Sequence, residues 1–194
     1  MKVSFKIFVI ILASYSFTFC SKNYQPKPIG YNRLIFPDHE YISSPDTLPY
    51  RFEYSKHSKF NKDTSWIRDN RWVEIYYPEL KATIHITYKS IHHSGKLLKD
   101  LFKDSQTLTA KHQIKAYAIE EIIVKTPSGK TAFIAEIDGE VPSQFQFTVT
   151  DSTKNFLRGA VYFYLKVHND SLKPAIDYVK VDAMHLINTL SWRQ

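Results

Sequence analysis

The sequence predicts an α+β protein, an antiparallel β-sheet packed by two long helices in the order βββ-α-ββββ-α. Three observations carry this. Runs of alternating apolar and polar residues recur along the chain, which is strand spacing. Two other stretches repeat apolar residues at helical spacing. The 194 residues hold thirteen Tyr and thirteen Phe but only five Gly, a balance that favours sheet over loop.

The elements follow in chain order. Tyr50, Phe52 and Tyr54 alternate with Arg51 and Glu53 and predict the first strand. WVEIYY (72–77) and ATIHITY (82–88) predict two more, joined tightly at Pro78-Glu79. Leu97, Leu98, Leu101, Phe102, Ser105, Leu108 and His112 then recur at helical spacing and predict a helix over 94–113. AIEEIIVKT (118–126) and KTAFIAEID (130–138) flank Pro127-Ser128-Gly129, a hairpin turn. SQFQFTVT sets Phe145, Phe147 and Val149 on one face, and FLRGAVYFYL does the same with Leu157, Val161 and Phe163. Leu172, Ile176, Val179, Ala183, Leu186, Ile187 and Leu190 predict a closing helix over 172–190. Asp170 or Ser171 is placed to cap it, with Pro174 in its first turn.

Upstream of residue 50 the chemistry changes. Residues 1–19 read as a secretory signal: Lys2 and Lys6 lead a short apolar run from Ile7 to Ala13, too short for a confident membrane span. Cys20 is the sole cysteine, so no internal disulfide forms. Directly after a signal run it reads as a lipid acceptor, and its acyl chains would anchor the protein to the membrane. The competing reading is an uncleaved signal anchor with a free or buried cysteine. Phe19 puts a bulky side chain where lipoprotein signals carry a small one, so slow processing is expected. Residues 20–49 hold five of the nine prolines and read as a lipid-attached tether, extended and without a ladder or helix. Tyr31, Leu34, Ile35 and Phe36 predict that part of it lies against the domain of residues 50–194.

Charge and motif exclude several functions. The net charge is +7, but basic residues are spread among acids, as in KLLKDLFKD, and form no stripe for nucleic acid. The eight His lack metal-ligand spacing, and no metal or cofactor is expected. Glu120 and Glu121 face opposite ways on a strand, and no Gly-rich phosphate loop occurs. Ser152 lacks a strained strand-to-helix elbow, so Asp151 to Asn155 read as a turn, with Asn155 suited to a left-handed conformation. Arg158 reads as either a partner contact or half of a structural pair. Gly159 inside a strand signals a bulge or a close neighbour.

QPKPIGYNRLIFPDHEY, FTVTDSTKNFLRGAVYF and DSLKPAIDYVKVDAMHLINTLSW resemble the gliding-motility lipoprotein family GldD of Bacteroidota, from about Tyr24 to Trp192. The resemblance implies a membrane-anchored envelope lipoprotein facing the periplasm, required for gliding and associated with the type IX secretion apparatus. It implies no enzymatic activity, and it carries the lipidated cysteine onto Cys20. By analogy the element order is also that of the PsbP/Mog1-like sandwich, which implies no function. Thr150, Asp151, Ser152, Thr153 and Arg158 are the candidate docking residues, because a polar hairpin tip on a rigid sheet suits partner contact. The alternative is a periplasmic domain that binds a small lipid or glycan in an aromatic-lined groove.

Overall fold

The computed structural model describes residues 35–62, 69–164 and 169–193. The expected signal peptide, Cys20 and the first half of the expected tether (20–34) lie outside them. Contacts divide the chain into Met1–Asn32 and Arg33–Gln194, and every described residue belongs to the second unit.

A seven-stranded sheet organises that unit. Its strands are β4 (Lys59–Lys62), β5 (Val73–Tyr77), β6 (Ala82–Ser90), β7 (Ala116–Lys125), β8 (Thr131–Gly139), β9 (Phe145–Thr150) and β10 (Asn155–Phe163). Their spatial order is β4-β5-β6-β10-β9-β8-β7, antiparallel throughout. Helices α1 (Gly95–Ala110) and α2 (Asn169–Thr189) complete the α+β architecture expected from the sequence.

Register assigns each helix a face. Val73, Ile75 and Tyr77 share a side with Ile84, Ile86, Val161, Phe147 and Ile134. That side forms the main core with Leu172, Val179, Ala183, Leu186 and Ile187 of α2 and with Leu190 just after it, all buried. Residues of opposite parity face α1: Phe102 packs edge-on against Phe133 and Phe156, with centroids 4.8 and 5.3 Å away. α1 packs lightly. Only Thr109 is buried, and Leu97 and Leu108 of its predicted stripe stay exposed.

Several boundaries differ from expectation. Tyr50–Arg51 (β2) and Glu53–Ser55 (β3) are separate, because β2 pairs with β11 (Ser191–Trp192) while β3 pairs with β1 (Tyr41–Ser43). β1 therefore gives the proline-rich segment a ladder, which the proline argument did not allow; Pro37 and Pro45 flank the three paired residues instead of interrupting them. β4 was not foreseen. α1 starts after Ser94, whose hydroxyl accepts from Leu97 N–H at 3.2 Å, and ends three residues early in a 3-10 turn at Lys111–Ile114. α2 begins at Asn169, which puts Asp170 and Ser171 in its first turn, their side chains outside the described ones, and Pro174 lies inside the helix.

Gly159 has the close neighbour its position predicts. A Cβ there would run into the Phe147 ring packed over it. The hairpin turn at Pro127-Ser128-Gly129 also forms, with Gly129 at φ +77.

Candidate functional site

The stretch from Thr150 to Asn155 folds as a turn held from within. Asp151 Oδ1 accepts the N–H groups of Thr153, Lys154 and Asn155 at 3.0, 2.8 and 2.9 Å, and Oδ2 accepts Asn155 Nδ2 at 2.6 Å. Burial alone would raise the Asp151 carboxyl. The hydrogen bonds, led by the Asn155 and Thr153 amides, outweigh burial and pull it down to about 2. Ser152 takes the left-handed conformation at φ +63, where the sequence reading had put Asn155; Asn155 is instead the first residue of β10.

The turn is also tied to the loop before α1. The N–H groups of Ile91 and His93 donate to the carbonyls of Lys154 and Thr153 at 2.8 and 2.7 Å.

The candidate docking residues do not form one surface. Ser152 and Thr153 are exposed at the tip, with Asp151 half-buried between them and the sheet. Thr150 is 3% exposed and donates its hydroxyl to the Asn155 carbonyl at 2.6 Å. Arg158 lies along β10 on the α1 face, opposite Thr148, and its Nη2 donates to Gln146 Oε1 at 2.7 Å.

Two surfaces escaped the sequence reading. The first is the outer side of β7. This ten-residue strand ends the sheet, and its outer edge has no backbone partner among the described residues. Tyr117 is 80% exposed and Ile123 67%, and Ile114 of the preceding 3-10 turn is 90% exposed. Between β7 and α1 runs a cleft of about 310 Å³, with Phe102, Ile123 and Phe133 among its walls and Gln146 and Thr148 at its polar side. An apolar strand run reads the same at an edge as at the centre, so only topology exposes this one.

The second is a clamp on α2. Asp182 is 1% exposed and its carboxylate takes three donors: His39 Nδ1 at 2.6 Å, Tyr41 hydroxyl at 3.1 Å and Tyr77 hydroxyl at 2.9 Å. Burial, then the Asp182 charge, drives the Tyr77 and Tyr41 hydroxyls well above the usual tyrosine range. Rings lock the same segment down. Phe36 and His39 stack on Tyr178 at 4.8 and 4.5 Å, and Tyr41 stacks on His185 at 3.5 Å.

The remaining histidines are dispersed. His85 bonds the Tyr164 hydroxyl at 2.7 Å and pairs with Glu74, and His185 pairs with Glu53. Among the described residues no three His, Cys, Asp or Glu side chains converge to hold a metal ion. No helix among them is long and apolar enough to cross a membrane.

These features define a class: an α+β domain around one antiparallel sheet, with its N-terminal approach locked onto its last helix and an open strand edge. The chain belongs to the gliding motility lipoprotein GldD family, whose model matches residues 21–192. Membership makes it a gliding motility lipoprotein, a membrane-anchored protein of the cell envelope. No curated protein matches it. Among solved structures it is similar to the solution structure of cyanobacterial PsbP (CyanoP) from Synechocystis sp. PCC 6803. That likeness has 13% identity and a TM-score of 0.46, and it covers 86% of this chain and 99% of the other.

Proposed function

We propose that this lipoprotein is a non-enzymatic docking component of the gliding and type IX secretion machinery, facing the periplasm. The open edge of β7 carries the reading. A long unpaired strand is a template for strand addition, and proteins usually shorten, cover or charge such edges. Here Glu120 and Glu121 sit mid-strand, between the exposed Tyr117 and Ile123. Like charges oppose pairing between two copies of this edge, while a partner strand with Lys or Arg opposite them is admitted.

The cleft beneath α1 supports the second reading, a small lipid or glycan ligand. Its volume of about 310 Å³ stands at the small end for ligand pockets, which span roughly 300–1,000 Å³. The strand edge runs the whole ten-residue length of β7, so docking is preferred.

A photo-crosslinking residue at Ile123 or Tyr117, in intact cells, tests the reading. Adducts to envelope proteins are expected from both positions and not from the exposed Lys173 on α2. Equal adducts from Lys173, or none from β7, would sink it.

A further inference from the structure

The open edge of β7 and the cleft beneath α1 are built from the same residues. Thr126, just past the strand, donates its N–H to the Lys130 carbonyl at 2.9 Å across the hairpin. Pairing runs on from there, with Val124 opposite Ala132, Ile122 opposite Ile134 and Glu120 opposite Glu136. In an antiparallel ladder every second residue bonds the same neighbour. Val124, Ile122 and Glu120 therefore turn their N–H and C=O groups to β8, and those of Ile123, Glu121 and Ile119 point to the open edge. These three pair with Phe133, Ala135 and Ile137, so their side chains lie on the α1 face, where Phe133 meets Phe102. Ile123 and Glu121 wall the cleft of about 310 Å³ together with Phe102 and Phe133. Glu121 and Ile119 wall its continuation along α1, and Gln106 borders both parts. The backbone that is free to bond is thus also the rim of an apolar cleft. Glu121 is exposed on that rim, with no hydrogen-bond or ion-pair partner among the described residues.

We propose that β7 and the cleft together read one partner strand, added antiparallel and carrying aromatic-x-basic-x-aliphatic in its own N-to-C direction. Residues directly opposite each other in an antiparallel pair project to the same face, so the partner residues opposite Ile123, Glu121 and Ile119 all face α1. The aromatic residue opposite Ile123 enters the cleft between Phe102 and Phe133, whose walls favour a flat ring. The basic residue two positions on meets Glu121, where an acidic one is repelled. The aliphatic residue beyond it covers Ile119. This preference rests on the docking reading of β7 and adds to it which side chains are recognised. It also gives the cleft an occupant without a separate small ligand.

The test uses the full isotope-labelled chain in nanodiscs of zwitterionic lipid, titrated with the blocked peptide Thr-Phe-Thr-Lys-Thr-Val-Thr and followed by NMR. Binding should slow hydrogen exchange at the Ile119, Glu121 and Ile123 amides and leave Glu120 and Ile122, already bonded to β8, unchanged. The peptide Phe ring should show contacts to Phe102 and Phe133. Phe to Ala in the peptide should weaken binding by about tenfold or more, and Lys to Glu should weaken it several-fold. Glu121→Lys, an exposed substitution that spares the core, should invert the choice and prefer the Glu peptide. Equal binding of the Lys and Glu peptides by the parent, a choice unmoved in Glu121→Lys, or ring contacts elsewhere would overturn the proposal. Tighter binding of the reversed peptide, Thr-Val-Thr-Lys-Thr-Phe-Thr, would overturn the antiparallel direction. A peptide that fails to bind while Ile123 crosslinks in cells would overturn the recognised pattern and leave docking standing. A peptide that binds as expected while Ile123 gives no adducts would support the pattern and place the failure in the docking reading.

Discussion

His39 Nδ1 lies 2.6 Å from Asp182 Oδ1, joining residues 143 apart in the chain. The same carboxylate holds Tyr41 and Tyr77, so one buried acid ties the N-terminal approach, α2 and β5 together. Asp182→Ala would strand three donors. Losing one partner of a buried pair costs about 3–5 kcal/mol. We expect a loss of that order in denaturant unfolding, and faster protease cleavage between residues 35 and 43. Unchanged cleavage would show that the ring stacks alone hold the segment.

Asp151 predicts a pH effect. Its folded pKa, about 2, lies below the reference value of 3.8. A depressed carboxyl stabilises the fold above its unfolded pKa, and the contribution disappears as pH falls from about 4 towards 2. The shift corresponds to roughly 1–2 kcal/mol once solvent screening of a half-buried group is allowed for. Asp151→Asn should therefore be less stable than the parent at pH 7, and the two should converge near pH 2. A gap that persists at pH 2 would mean that the side chain acts through packing.

Gly159→Ala should destabilise the sheet by about 1–3 kcal/mol, the usual cost of overpacking a core. The added methyl meets the Phe147 ring. Phe147→Leu in the same chain should recover part of that loss. Additive effects of the two substitutions in thermal melts would separate the two sites.

Leu186→Ala on α2 should cost about 2–5 kcal/mol, because Leu186 is buried in the main core and its removal leaves a cavity. That is a large share of a typical domain stability of about 5–15 kcal/mol. A melt equal to the parent's would contradict the packing of α2 on the sheet.

Cys20→Ala should release the protein from the membrane fraction, and Phe19→Gly should shorten the life of the precursor. Firm membrane retention of Cys20→Ala, or an unchanged precursor level in Phe19→Gly, would refute each expectation in turn.

Periodicity carried most of the fold. Strand alternation in β5, β6, β9 and β10 survives intact, because each has one face against α2 or α1 and register leaves no choice. The α2 stripe is buried as expected, apart from the half-buried Ile176. The short strands β1, β4 and β11 were not legible, since two to four residues show no period. The candidate site was legible only at the turn, where the Asp151 carboxylate accepts its own backbone N–H groups as local turn chemistry has it. Asp182 sits among apolar α2 residues, and its partners His39, Tyr41 and Tyr77 come from remote segments, so no local pattern announces it. The Gln146 contact of Arg158 crosses from β10 to β9 and depends on register, which spacing along one strand does not contain.

The pinning of Phe36, His39 and Tyr41 to α2 has a mechanical consequence whenever the chain is pulled from its N-terminal side. Tension arriving along the chain meets α2 and β1 before it reaches the main sheet. If those contacts give way, residues 36–43 are released, with a contour of roughly 25–30 Å at full extension, while the seven-stranded sheet stays folded. Pulling single molecules from the N-terminus would reveal this as a short early step before global rupture. Without that step, the load enters the sheet directly and the latch carries none of it.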